Sequence, residues 1–131
     1  MKKLACLLFM LVLLALGLSA DEKKPAVDFS NPVKVVDAIF EAARNEDLTV
    51  LDQLCDPKGE NDGDTRRICE MAKNPEMIEE FYEWFGKGKV TGAAVIEGDT
   101  AKVPFVFGPE AQHKEDMILV KREGKWYLSD F

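Results

Sequence analysis

Hydrophobic and polar positions change their period twice along this chain. An apolar block, Leu4–Leu18, follows Lys2 and Lys3. A polar, aperiodic stretch over 21–30 reads as a flexible lead-in. From Asn31 the apolar residues Val33, Val36, Phe40 and Ala43 recur at helical spacing, with Ile39 widening the stripe. Asn31 is a capping residue and Pro32 suits a first helical turn, so the spacing predicts a helix from there to about Arg44-Asn45. Asp47 is placed to cap a second, short helix whose Leu48, Leu51, Leu54 and Cys55 share a face, and Asp56-Pro57 stops it. Residues 58–64 hold two glycines and read as a surface loop. Asp64 or Thr65 then starts a third helix through Ile68, Cys69, Met71 and Ala72. A second Asn-Pro, Asn74-Pro75, opens a fourth segment in which Met77, Ile78, Phe81, Trp84 and Phe85 form a broad apolar face, ended by Gly86 and Gly88.

Beyond Lys87 the period becomes that of strands. Val90–Glu97 and Ala101–Phe107 flank Gly98-Asp99, and Asp116–Arg122 and Lys125–Phe131 flank Glu123-Gly124, which predicts two hairpins and four strands. Pro104 has no N–H for a ladder, so its strand is an edge or is bulged there. Met117 and Leu119 alternate with Ile118 and Val120, the pattern of a strand covered on both faces. Helices first and antiparallel strands last define an α+β domain over 31–131.

Composition adds a place. Lys2 and Lys3, the apolar core Leu11–Leu16 and the small residues Ser19-Ala20 before Asp21 match a signal peptide over 1–20. The alternative, a retained anchor, needs roughly 18 or more apolar residues, and this run is shorter. Cys6 precedes the apolar core instead of following it, so it is discarded with the signal rather than lipidated. The expected location is periplasmic or secreted, with no integral membrane residence after cleavage. Cys55 and Cys69 remain, an even pair in an oxidising compartment, and read as a structural disulfide; two inert thiols or a metal pair are the alternatives.

Charge sharpens the exclusions. The chain has 17 basic and 24 acidic residues. Residues 21–86 carry 8 basic and 17 acidic side chains, a charge of −9, whereas 87–131 carry seven of each. An acidic domain is repelled by nucleic acid and by anionic bilayers, so no nucleic-acid partner is expected. The acidic excess is either a solvated helical face or a docking surface.

The combination of Asn31-Pro32 through Ala43 with Asp47 and Leu51, then Ile96-Glu97-Gly98-Asp99-Thr100-Ala101-Lys102-Val103, then Leu119-Val120-Lys121-Arg122-Glu123-Gly124-Lys125-Trp126, resembles the nuclear transport factor 2-like (cystatin-like) superfamily, and within it small exported bacterial domains of uncharacterised function. The resemblance implies helices on the concave side of a strongly bent four-stranded antiparallel sheet, a conical pocket and often a homodimer. Enzymes of that superfamily, such as ketosteroid isomerase, limonene epoxide hydrolase and scytalone dehydratase, place carboxylates, His or Tyr in the cone. No such set matches here, so no catalytic residue and no cofactor are assigned.

Tyr82, Trp84, Phe105, Phe107, Trp126 and Tyr127 are pocket-lining candidates, or plain core. His113 is suited to acid–base work by residue type, but its neighbours Gln112, Lys114 and Glu115 place it at a solvated strand start. Lys121 and Arg122 face opposite sides of their strand; one of them either meets an anionic ligand in the cone or snorkels at the sheet edge. Glu60, Asp62 and Asp64 lack calcium-loop spacing, since Lys58 falls at the first ligand position. The expected function is non-catalytic binding of a small-molecule ligand or a protein partner in the cell envelope. The alternatives are a pocket enzyme of isomerase or hydrolase type and an assembly protein associating through its sheet.

Overall fold

The computed structural model describes residues 26–131, so the proposed signal segment and Cys6 lie outside the described residues. Helix α1 spans Pro32–Asn45, with the Asn31 side chain accepting the Val33 N–H. Its Val35, Val36, Ile39, Phe40 and Ala43 are all buried, so the predicted stripe is the face that meets the core. At Asp47 a short Asx turn replaces the expected helix: its carboxylate accepts from the N–H and hydroxyl of Thr49, and only a 3-10 turn over Leu51–Gln53 follows. Helix α2, Gly63–Cys69, is capped by Asp62, two residues before the expected Asp64. Asn74-Pro75 leads through a 3-10 turn, Pro75–Met77, into α3, Ile78–Phe85.

Five strands follow: β1 Lys89–Val90, β2 Val95–Glu97, β3 Thr100–Phe107, β4 His113–Arg122 and β5 Lys125–Asp130. They form one antiparallel sheet in which β1 and β2 both pair with β3, then β4, then β5. The chain is thus a mixed fold of helices and an antiparallel sheet. The expected four strands become five because Val90–Glu97 breaks in two. Lys89 pairs with Val106 but Val95 pairs with Lys102, so residues 91–94 stand opposite only Val103-Pro104. Pro104 accepts from the Thr91 N–H through its carbonyl but has no N–H to return, and the ladder loosens there. Its strand is central rather than an edge; the bulge lies in its partner.

The helices lie on the face that carries Ala101, Val103, Phe105, Met117, Leu119, Trp126 and Leu128, which are buried with the α1 stripe. Ile118 and Val120, on the other face, are only half-buried. That corrects the expectation of a strand covered on both sides: α1 and α3 pack from one side, and on the other Ile118 and Val120 keep part of their surface exposed.

The two sheet edges differ. Along β5, Trp126 donates its N–H to Phe29 O (2.8 Å) and Leu128 to Leu54 O (2.7 Å), while Leu128 O accepts from the Asp56 N–H (3.1 Å) and the Asn61 amide (2.6 Å). Phe29, in the expected lead-in, is therefore held beside β5, with its ring 5.5 Å from that of Tyr127. At the opposite edge β2 is open, and Val95 and Ile96 are the large hydrophobic side chains left exposed, at 58% and 53%.

Candidate functional site

Two covalent or charged ties fix the helices around one end of the sheet. Cys55 and Cys69 form a disulfide, with Cα atoms 6.2 Å apart, joining the C-terminus of α2 to the segment beside β5. Asp56, whose side chain is fully buried, accepts two hydrogen bonds from Arg122, at 3.0 and 2.7 Å, and Arg122 reaches Glu60 as well, at 3.1 Å. Hydrogen bonds from Arg122 hold the Asp56 carboxyl below its ordinary range, against the burial that opposes ionisation. Desolvation of the ion pair is offset by the two-pronged geometry.

Asp62 sits at the start of α2, where it accepts the Thr65 N–H at 2.9 Å and donates its own N–H to Ser129 O at 3.0 Å. Burial opposes ionisation of Asp62, but hydrogen bonds with Thr65 and Asp130 outweigh it and lower its pKa. Asp130 takes the opposite shift: its hydrogen bond to Asp62, burial and repulsion from the same carboxylate raise it. The end of β5 is therefore stitched to the start of α2.

Between α2, α3 and the end of the sheet lies a cavity of about 260 Å³. Ile68 and Met71 form one wall; Met77, Phe81, Trp84 and Phe85 form another; Phe107 and Phe131 close it from the sheet side. The polar residues on its lining are Asp64, Arg67 and Glu80. Arg67 and Asp64 pair with each other at 2.7 Å and are each more than half exposed, so they sit at the mouth. The aromatic rings form a continuous stack. Phe85 lies against Phe107 (5.3 Å between centroids), Phe131 stands edge-on to Phe85 and Phe107, and His113 lies parallel to Trp84 at 5.2 Å. The volume falls just below the roughly 300–1,000 Å³ usual for ligand cavities, which limits an occupant to one or two fused rings. Two flexible methionines in the walls let it adapt to shape.

Of the aromatic candidates from sequence, Trp84 and Phe107 come together in this cavity. Phe105 lies beneath it in the core, 5.6 Å from Phe131. Tyr82 is half-buried beside Phe81, and burial with nearby acids pushes its phenol pKa up. Trp126 is buried near Phe29, and Tyr127 lies on the other face of the sheet. Lys121 is exposed, its ammonium 5.5 Å from the centre of the Trp126 ring, and lines an open groove with Lys58 and Arg122 instead of the cavity. Arg122 is held by Asp56 and Glu60. His113 is exposed but stacked. Ile68, Met71 and Met77 were expected only as helical apolar positions, and Phe131 was not named as a lining residue; no sequence signal marks the four as neighbours of one cavity.

Among the described residues, no group of three or more His, Cys, Asp or Glu side chains is arranged to hold a metal ion. Glu60 bonds Arg122, Asp62 caps α2 and Asp64 pairs with Arg67. Among the same residues no helix is long and apolar enough to cross a membrane.

No family model matches the chain, and no curated protein matches it. Among solved structures, it is similar to a SEC-C motif containing protein from Rhodopseudomonas palustris, with 18% identity, a TM-score of 0.50 and 76% of each chain covered. At that identity the likeness concerns the fold alone.

Proposed function

We propose that this chain is an exported, non-catalytic binding module with a cystatin-like fold, and that its cavity beside α2 and α3 takes a small apolar molecule. The observation that carries the reading is the aromatic cavity, apolar in its walls and charged only at its mouth. Three others support it. The Cys55–Cys69 disulfide is consistent with an oxidising, periplasmic or secreted location. The mixed fold of helices on an antiparallel sheet accords with membership of the nuclear transport factor 2-like superfamily. The buried polar or charged residues among those described, Asp56 and Thr65, do not line the cavity, and the charged side chains that do, Asp64, Arg67 and Glu80, are exposed at its mouth, which leaves an apolar interior suited to binding.

The test is calorimetric titration with 2-naphthylmethanol, a neutral bicyclic probe, into the wild type and into Met77→Trp, which fills the cavity with a larger side chain. Binding with a negative heat-capacity change in the wild type, lost in a folded Met77→Trp, is expected. No binding to the wild type, or equal binding to both, overturns the reading.

A second reading, association through the sheet, has one observation in its favour: the open β2 edge with exposed Val95 and Ile96, opposite an edge that is already covered. Sedimentation of the wild type and of Val95→Lys tests it; a wild-type dimer that becomes monomeric in the variant is its expected result, and a concentration-independent monomer removes it.

A further inference from the structure

We propose that the cavity selects a positively charged apolar molecule, an amine or quaternary ammonium attached to an aromatic or bulky aliphatic group. This rests on the cavity being a binding site, and it names the class of ligand.

Charge at the mouth decides between cation and anion. Arg67 is the basic residue on the lining, and its guanidinium is taken up by Asp64 at 2.7 Å. Glu80 is then the lining charge left over, on the exposed side of α3. It does not stand alone. Glu76, Glu79, Glu80 and Glu83 succeed one another along the 3-10 turn and α3 without a basic residue among them. They belong to the half of the chain that carries −9 over residues 21–86. Any ligand entering beside α3 therefore approaches through a negative field, which draws cations and repels carboxylates. Inside, Trp84, Phe107 and Phe131 offer aromatic surfaces on which a cation is stabilised, so the attraction persists past the mouth.

The aromatic walls alone accept any flat apolar group. The pairing of Arg67 with Asp64 offsets the one positive charge on the lining. An anionic ligand has to compete with Asp64 for Arg67 and still meets Glu80; a cation leaves the pair in place and gains Glu80.

Three probes with the same ring system separate this proposal from the reading it rests on: 2-naphthylmethylammonium, 2-naphthylmethanol and 2-naphthoate, titrated into the wild type at pH 7.5. At low salt the cation is expected to bind about 5–20-fold more tightly than the alcohol, and the naphthoate more weakly than the alcohol. In 0.5 M sodium chloride, where the Debye length is about 4 Å, the cation's advantage should fall to about threefold or less. Glu80→Gln and Asp64→Asn should each lower the ratio of cation to alcohol affinity. Asp64→Asn should also raise naphthoate affinity, because Arg67 is released. If the alcohol binds but the cation has no advantage, or the naphthoate binds best, the charge selectivity is wrong and the cavity reading survives. If the alcohol does not bind, the cavity reading itself fails, whatever the two charged probes do.

Discussion

Reducing the Cys55–Cys69 disulfide tests how α2 is held, and with it one wall of the cavity. The bond joins residues 14 apart in sequence. Closing a loop of that size removes denatured-state entropy equivalent to about 3 kcal/mol, a large share of the roughly 5–15 kcal/mol typical of a whole domain. At its other end α2 is held by Asp62, through the Thr65 N–H and Ser129 O, but the helix itself buries little. It is 7 residues long, and Thr65, Ile68 and Cys69 are its buried side chains, whereas an isolated helix needs about 12–15 residues to be even marginal in water. Reduction with a phosphine leaves both side chains in place, so any loss comes from the bond and not from altered packing. With a urea dependence of about 1–3 kcal/mol per molar for a domain of this size, the unfolding midpoint should fall by about 1–3 M. The assay is urea unfolding by far-UV circular dichroism, oxidised against reduced, with Cys55→Ala/Cys69→Ala as a check. Hydrogen exchange on the reduced protein should show the α2 amides losing protection first. Midpoints that agree within about 0.3 M, or α2 amides as protected as those of α1, would refute the reasoning.

Three further predictions follow from single contacts. Asp56→Asn keeps the shape of a buried residue but removes its charge from Arg122; it should lower stability by about 1–3 kcal/mol at pH 7 in chemical unfolding. Because the folded pKa of Asp56 is depressed, its contribution is complete above the ordinary carboxylate value and is lost as pH falls through the lowered one, so the gap between variant and wild type should begin to narrow below about pH 4 and close only beneath the lowered value. Asp130→Asn should act in the other sense: Asp130 is raised by its neighbour Asp62, so its contribution is present in acid and lost as pH rises, and the variant should melt higher than wild type at pH 7 but not near pH 3. Gly88→Ala places a methyl group 2.4 Å from the Phe40 ring and 2.9 Å from Val106 O, and should destabilise by about 1–3 kcal/mol in thermal or urea unfolding; a neutral result would mean that Phe40 is free to move.

Much of the fold was legible because its signals are local. Asn31-Pro32 set the start of α1, the alternation of Val103, Phe105 and Phe107 set one strand, and Glu123-Gly124, with positive φ at both residues, set the last hairpin. What local pattern concealed was geometry decided by partners. Val90–Glu97 has a continuous strand-like composition, and it breaks because Pro104, ten or so residues away, leaves a gap in the ladder. Asp64 and Thr65 are the caps the local pattern offers, but the helix starts earlier, at Asp62, whose N–H is also anchored on Ser129. The cavity was half legible. Trp84 and Phe107 stand out as aromatic residues, but Trp126 and Tyr127, equally aromatic, lie elsewhere because β5 runs between the core and the Phe29 segment. Ile68, Met71 and Met77 read as ordinary helical apolar positions, and nothing in a single sequence says that two short helices diverge enough to leave a space between them.

The central claim is that the space between α2, α3 and the end of the sheet binds a ligand. Titrating 2-naphthylmethylammonium into isotopically labelled protein and following backbone amide and methionine methyl resonances tests it most directly. Saturable shifts concentrated at Ile68, Met71, Met77, Trp84, Phe107 and Phe131 are expected, with the β4–β5 turn at Glu123-Gly124 unaffected. Shifts that fail to saturate, or that centre on the β2 edge around Val95 and Ile96, would contradict it.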